Sequence, residues 1–145
     1  MKQTHIYITV DSCSPRTSKK NYGYILECEV SGETVTREGY GQSEGSYHKA
    51  VLDALAEALE RFTQSCEITI HTENEFVLNM LTLNLAKWSE NGFLTAKGRP
   101  VANQVEWIRV WEVSKKHAVH VEQGKHSYSG WLNGEIERRK EQNNV

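Results

Sequence analysis

The hydrophobic period of the chain changes at Ser46, and that change limits the fold more than any other feature. Upstream, apolar residues come in short blocks: Ile6-Tyr7-Ile8-Thr9-Val10, then Tyr22 to Val30, then Thr34 to Tyr40. β-Branched and aromatic residues dominate these blocks, and Ser31-Gly32-Glu33 supplies a tight turn between the second and third. They read as three strands of an antiparallel meander, with a loop from Ser14 to Asn21. From Ser46 onward Val51, Leu52, Leu55, Ala58, Leu59 and Phe62 recur at helical spacing, while Lys49, Asp53, Glu57, Glu60 and Arg61 fall mostly off that face. Ser46 is the expected N-cap, and Ala54, Ala56 and Ala58 let the helix lie close on a sheet. Cys66 to Thr72 then reads as a fourth strand. A strand reached through a helical crossover pairs in parallel, so the meander acquires an α/β extension.

Further along, a helix starts at Asn74, and two helical pieces around an exposed turn are expected between Leu83 and Gly98. A helix spans Ala102 to Lys115, a fifth strand Ala118 to Glu122, and a last helix Ser129 to Lys140. The polar end from about Glu137 to Val145 is expected to fray. At 145 residues the chain fits one α/β domain with a mixed five-stranded sheet, residues 1–145, without repeat or linker. The formal charge of −2 gives no global basic field, so a nucleic-acid partner has to be met by a local patch. Cys13, Cys28 and Cys66 are odd in number and lack a C-x-x-C pair, which reads as reduced thiols in a cytoplasmic protein. No apolar run approaches the ~20 residues of a membrane span.

Asp11 follows the first strand directly. Its carboxylate either bonds its own backbone in a turn or serves a site at the strand end. Glu73 holds the same place after the fourth strand, where it either faces the next helix start or completes an acidic pair able to hold a divalent metal. Arg16, Lys19 and Lys20 in the first loop, and Lys87, Trp88, Lys97 and Arg99 further on, are positioned either to meet phosphates or to face water and pack. His117 and His120 point to opposite faces of a strand and read as satisfied side chains. His126 lies in a loop near Glu135, where proton transfer would be useful.

The order of elements resembles the ribonuclease H family, specifically bacterial-type ribonuclease HI, over nearly the whole chain. The stretches that carry the resemblance are ITVDSCS followed by NYGYIL, CEITIHTENEFV, LAKWSENGFLTAKGRPVANQVEWIRVW and VEQGKHS. The third is similar to the family's basic protrusion. The resemblance implies four carboxylates and two Mg²⁺ (or Mn²⁺) ions that cut the RNA strand of an RNA/DNA hybrid. Asp11 matches the first-strand acid. Glu73, in T-E-N-E, stands where the family has Asp, and Glu135, counted from Gly124, falls at the last-helix acid. The helix acid is absent: an ungapped count places it at Val51, within Lys49-Ala50-Val51, and Asp53 is turned roughly 200° away. Lys125 occupies the loop His position, with His126 displaced by one. The resemblance therefore implies a nucleic-acid-binding domain for RNA/DNA hybrid, with weak or absent nuclease activity. The alternatives are an active metal-dependent endoribonuclease and a protein-interaction domain.

Overall fold

The computed structural model describes residues 2–143. In chain order the elements are β1 (Lys2–Val10), β2 (Ser18–Val30), β3 (Glu33–Gly45), α1 (Tyr47–Glu60), β4 (Cys66–Thr72), α2 (Glu75–Leu83), α3 (Leu85–Glu90), α4 (Gln104–Ser114), β5 (Ala118–Gln123) and α5 (Ser129–Asn143). The five strands form one sheet in the order β3-β2-β1-β4-β5. β1 and β2, and β2 and β3, are antiparallel, whereas β4 lies parallel to both β1 and β5. The meander and the crossover expected from the period change are both present.

Alternation along β1 sends its side chains to two cores. Ile6 and Ile8 join Val51, Leu52, Leu55 and Leu59 of α1 and Trp107 and Val110 of α4 in the main core. Tyr7 faces the other way and packs with Ile25 and Leu132, placing α5 across the second face of the sheet. Each fully buried Leu or Ile contributes roughly 1.5–3 kcal/mol, so the α1 face dominates cohesion. Ser46 caps α1, its hydroxyl accepting from the Lys49 N–H at 3.2 Å, and Asn74 caps α2 by accepting from the Val77 N–H at 2.9 Å.

Three sequence expectations need correction. The loop before the second strand is shorter than expected, because β2 begins at Ser18 and β3 runs on to Gly45. Lys20 explains this: it is fully buried, and its ammonium donates to the carbonyls of Arg16 at 2.7 Å and Gly45 at 2.6 Å and to the Ser18 hydroxyl at 2.8 Å. A buried charge is tolerated when every donor is used, and here it ties the two strand ends together. Between Leu83 and Gly98 only α3 is helical; Gly92, Phe93 and Gly98 have φ of 76°, 60° and 77°, and a Leu94–Pro100 bridge closes a hairpin-like tip. Finally, α5 runs on through residues 137–143, beyond the Lys140 expected as its end, with Ile136 buried and Lys140 held by ion pairs; residues 144–145 lie outside the described residues. Among the described residues no helix is long and apolar enough to cross a membrane.

Candidate nucleic-acid interface and acidic strand ends

β1 and β4 run in parallel with Tyr7 opposite His71, so the residues that follow them, Asp11 and Glu73, emerge at the same edge of the sheet. Asp11 makes no Asx turn. Its Oδ1 accepts from the Asn21 main-chain N–H at 2.9 Å and its Oδ2 from Asn21 Nδ2 at 3.0 Å, a clasp across the start of β2. The Lys140 ammonium of α5 reaches the same Oδ2 at 3.0 Å. Burial pushes the Asp11 carboxyl upward, but the Asn21 hydrogen bonds and the Lys140 charge outweigh it and hold the group below its ordinary value. Lys140 also lies 3.0 Å from Glu137 Oε1, so one ammonium joins an acid of β1's end to an acid of α5.

Glu135, by contrast, is engaged within its own helix. Arg138 reaches it at 2.5 Å and Arg139 at 3.8 Å, and Arg139 lies 3.7 Å above the Tyr40 ring of β3. On α5 it is therefore Glu137 that is linked to Asp11. An ungapped count from Gly124 lands on Glu135; the i,i+3 spacing to a base is shared by Glu135–Arg138 and Glu137–Lys140, so spacing alone does not tell the two acids apart.

Val51 is completely buried in the main core. One turn before it, Tyr47 brings α1 to the acidic edge, its N–H donating to the Ser14 carbonyl at 3.0 Å. Burial, Cys13 and Glu73 push the Tyr47 phenol upward, so a neutral hydroxyl stands beside Glu73. Glu73 itself is exposed. His126 sits behind this edge with both ring nitrogens in use. Nδ1 accepts from the Tyr128 N–H at 3.2 Å, which puts the ring proton on Nε2, donating to the Ile8 carbonyl at 3.0 Å. Burial lowers its pKa against that backbone bond and the charge of Glu73. The neutral ring is thus a strut between the β5–α5 loop and β1. His120 lies 2.9 Å from Glu67, but His117 is satisfied on one side only: its Nδ1 accepts from the Cys66 N–H at 3.0 Å, while its buried Nε2 has no hydrogen-bond partner.

Of the basic residues, Lys20 is enclosed and does not face a ligand, whereas Lys19, Lys87, Lys97 and Arg99 are exposed. The tip bearing Lys97 and Arg99 is held by Thr95 N–H to the Arg99 carbonyl at 2.6 Å and Gly98 N–H to the Thr95 carbonyl at 2.9 Å. Beneath it, Trp88 packs edge-on against buried Trp107 with centroids 5.4 Å apart, so Trp88 braces the protrusion.

A mixed sheet of this order, with α5 closing one face and α1 the other, defines a ribonuclease H-like α/β protein. The RNase H family profile matches residues 2–127. The chain is 32% identical to the ribonuclease H of Gluconobacter oxydans over 111 residues, covering 77% of this chain and 72% of that protein. It is 31% identical to the ribonuclease H of Citrobacter koseri over 132 residues, covering 84% and 83%. The chain belongs to the ribonuclease H family. Among solved structures its fold is similar to LC9-RNase H1, a type 1 RNase H with the type 2 active-site motif, with a TM-score of 0.72 at 13% identity over 95% of this chain and 70% of that one. It is also similar to part of the foamy viral protease-reverse transcriptase in complex with RNA/DNA hybrid, with a TM-score of 0.65 at 14% identity over 93% of this chain and 19% of that one. The family match stops before α5, the helix that carries Glu135, Glu137 and Lys140.

The donor set does not fit the two-metal arrangement that the resemblance implies. Val51 offers no ligand, Asp11 and Glu137 share an ammonium, and Glu135 is held by two arginines. Among the described residues no three His, Cys, Asp or Glu side chains are grouped so as to hold a metal ion.

Proposed function

We propose that this chain is a nucleic-acid-binding domain of the ribonuclease H family that takes RNA/DNA hybrid and has weak or absent nuclease activity. Family membership supports the substrate class, and the hybrid bound by the foamy viral relative of the fold supports it further. The exposed Lys87, Lys97 and Arg99 on and beside a hydrogen-bonded tip suit contacts to phosphates, which position a duplex without reading its sequence. The observation that carries the catalytic half of the reading is Val51: an apolar side chain, fully enclosed, where the resemblance places an acid. The alternative, a metal-dependent endoribonuclease cutting the RNA strand, rests on the carboxylates of Asp11, Glu73 and Glu135. A competition experiment tests the binding half: labelled hybrid is displaced by unlabelled hybrid, duplex DNA or duplex RNA. Preferential displacement by hybrid is expected, and equal displacement by all three would refute the substrate assignment.

A further inference from the structure

Two carboxylates meet one cation at the acidic edge, and the cation belongs to the chain. Lys140 Nζ lies 3.0 Å from Asp11 Oδ2 and 3.0 Å from Glu137 Oε1, so the two oxygens are no more than about 6 Å apart. Asn21 clamps Asp11 from the opposite side through both carboxylate oxygens, fixing the direction in which Oδ2 presents its remaining lone pair. Lys140 comes from the last turn of α5, where the helix dipole favours positive charge. The preceding turn is neutralised in the same way, with Arg138 and Arg139 on Glu135.

We propose that the Lys140 ammonium is the resident counter-cation of the Asp11–Glu137 pair, holding the position a divalent ion would otherwise fill, so that this edge of the sheet neither needs nor takes a divalent metal. Charge matching gives the reason. Val51 is buried in the main core and offers no ligand, and Glu73 stands exposed at the same edge, so the pair alone presents too few ligands for Mg²⁺, which requires near-ideal octahedral oxygen coordination at about 2.0–2.1 Å. A monovalent ammonium at hydrogen-bond distance suits these two carboxylates, one of which, Asp11, is already saturated in part by Asn21. Removing the ammonium leaves Asp11 and Glu137 facing each other without compensation. Glu137 is exposed enough to swing inward, so the vacated position becomes able to accept a metal.

The test needs no nucleic acid, so it stands or falls separately from hybrid binding. Mn²⁺ is added to the full chain and paramagnetic broadening is followed at the main-chain amides of Asp11, Asn21 and Glu137, alongside melting temperature with and without metal. Wild type is expected to show no selective broadening of these amides up to about 1 mM Mn²⁺ and no metal-induced rise in melting temperature. Lys140→Met is expected to bind Mn²⁺ at least about tenfold more tightly than wild type and to melt higher in its presence. Lys140→Arg, which keeps the charge, is expected to behave as wild type, and Asp11→Asn with Lys140→Met to lose the gain. Selective broadening in wild type overturns the proposal, as does a folded Lys140→Met protein with no gain in affinity. Should Lys140→Met not fold, the wild-type broadening and the Lys140→Arg comparison still decide.

Discussion

Replacing Val51 by Glu puts a carboxylate where the ungapped count sets the family's helix acid, and the cost follows from burial. Val51 has no solvent exposure and lies among Leu52, Leu55, Ile8 and Ile70 in the main core. An unpaired carboxylate there protonates instead of ionising, its pKa rising by roughly 3–5 units from an unfolded value of about 4.3. At pH 7 the forgone ionisation amounts to about 3.7 kcal/mol, and the lost burial of Val adds about 1.5 kcal/mol. The total of about 5 kcal/mol is a large share of the ~5–15 kcal/mol typical of a folded domain. A group whose folded pKa is raised loses stability as pH climbs from its unfolded towards its folded value. The penalty should therefore shrink to about 2.5 kcal/mol at pH 5. Urea unfolding of wild type, Val51→Glu and Val51→Gln at both pH values measures this. The Gln variant controls for shape and polarity, and its penalty should not vary with pH. A Val51→Glu penalty below about 1 kcal/mol at pH 7, or one that does not change with pH, would refute the buried placement.

Lys97→Glu with Arg99→Glu should weaken hybrid binding and lower the log–log salt slope by about 0.9 for each phosphate that is no longer neutralised, measured by anisotropy across a salt series; an unchanged slope would make the tip purely structural. Lys20→Met should destabilise the fold by about 2–4 kcal/mol in chemical unfolding, because the carbonyls of Arg16 and Gly45 lose their donor inside the protein; a change under ~0.5 kcal/mol would mean that water replaces the ammonium. Burial holds the rings of His48, His71, His117 and His126 below their ordinary pKa. The unfolded chain then binds more protons below about pH 6.5, so stability present above that value is lost as pH falls, with a slope of up to ~1.4 kcal/mol per pH unit for each ring. Unfolding midpoints between pH 7.5 and 5.5 measure it, and rising stability on acidification would contradict the burial of these rings.

What could be read from the sequence depended on local signals. The change of period at Ser46, the cap it forms, and β4 at Cys66–Thr72 follow from spacing and propensity alone, and the structure reproduces them. Asp11 was legible as a strand-end acid because strand and loop chemistry meet there. Its partners were not: Asn21 is ten residues on and Lys140 comes from the other end of the chain, and only tertiary pairing reveals either. Lys20 looked like a surface base, because nothing in a KK pair shows that one ammonium finds three acceptors. The role of His126 turned on which of its nitrogens receives a main-chain N–H, a feature without sequence signature. Counting from Gly124 gives Glu135, and that Lys140 links Glu137 to Asp11 has no signal in the count.

The central claim, a ribonuclease H-family domain that holds hybrid without efficiently cutting it, is tested most directly in one tube. The chain is titrated into RNA/DNA hybrid labelled on both strands, at low salt with Mg²⁺ present. Binding is read by anisotropy, and the RNA strand is then resolved on a denaturing gel. Saturable binding with the RNA strand intact over many dissociation times is the predicted result. Rapid, Mg²⁺-dependent scission of the RNA strand, or no binding at all, would contradict it.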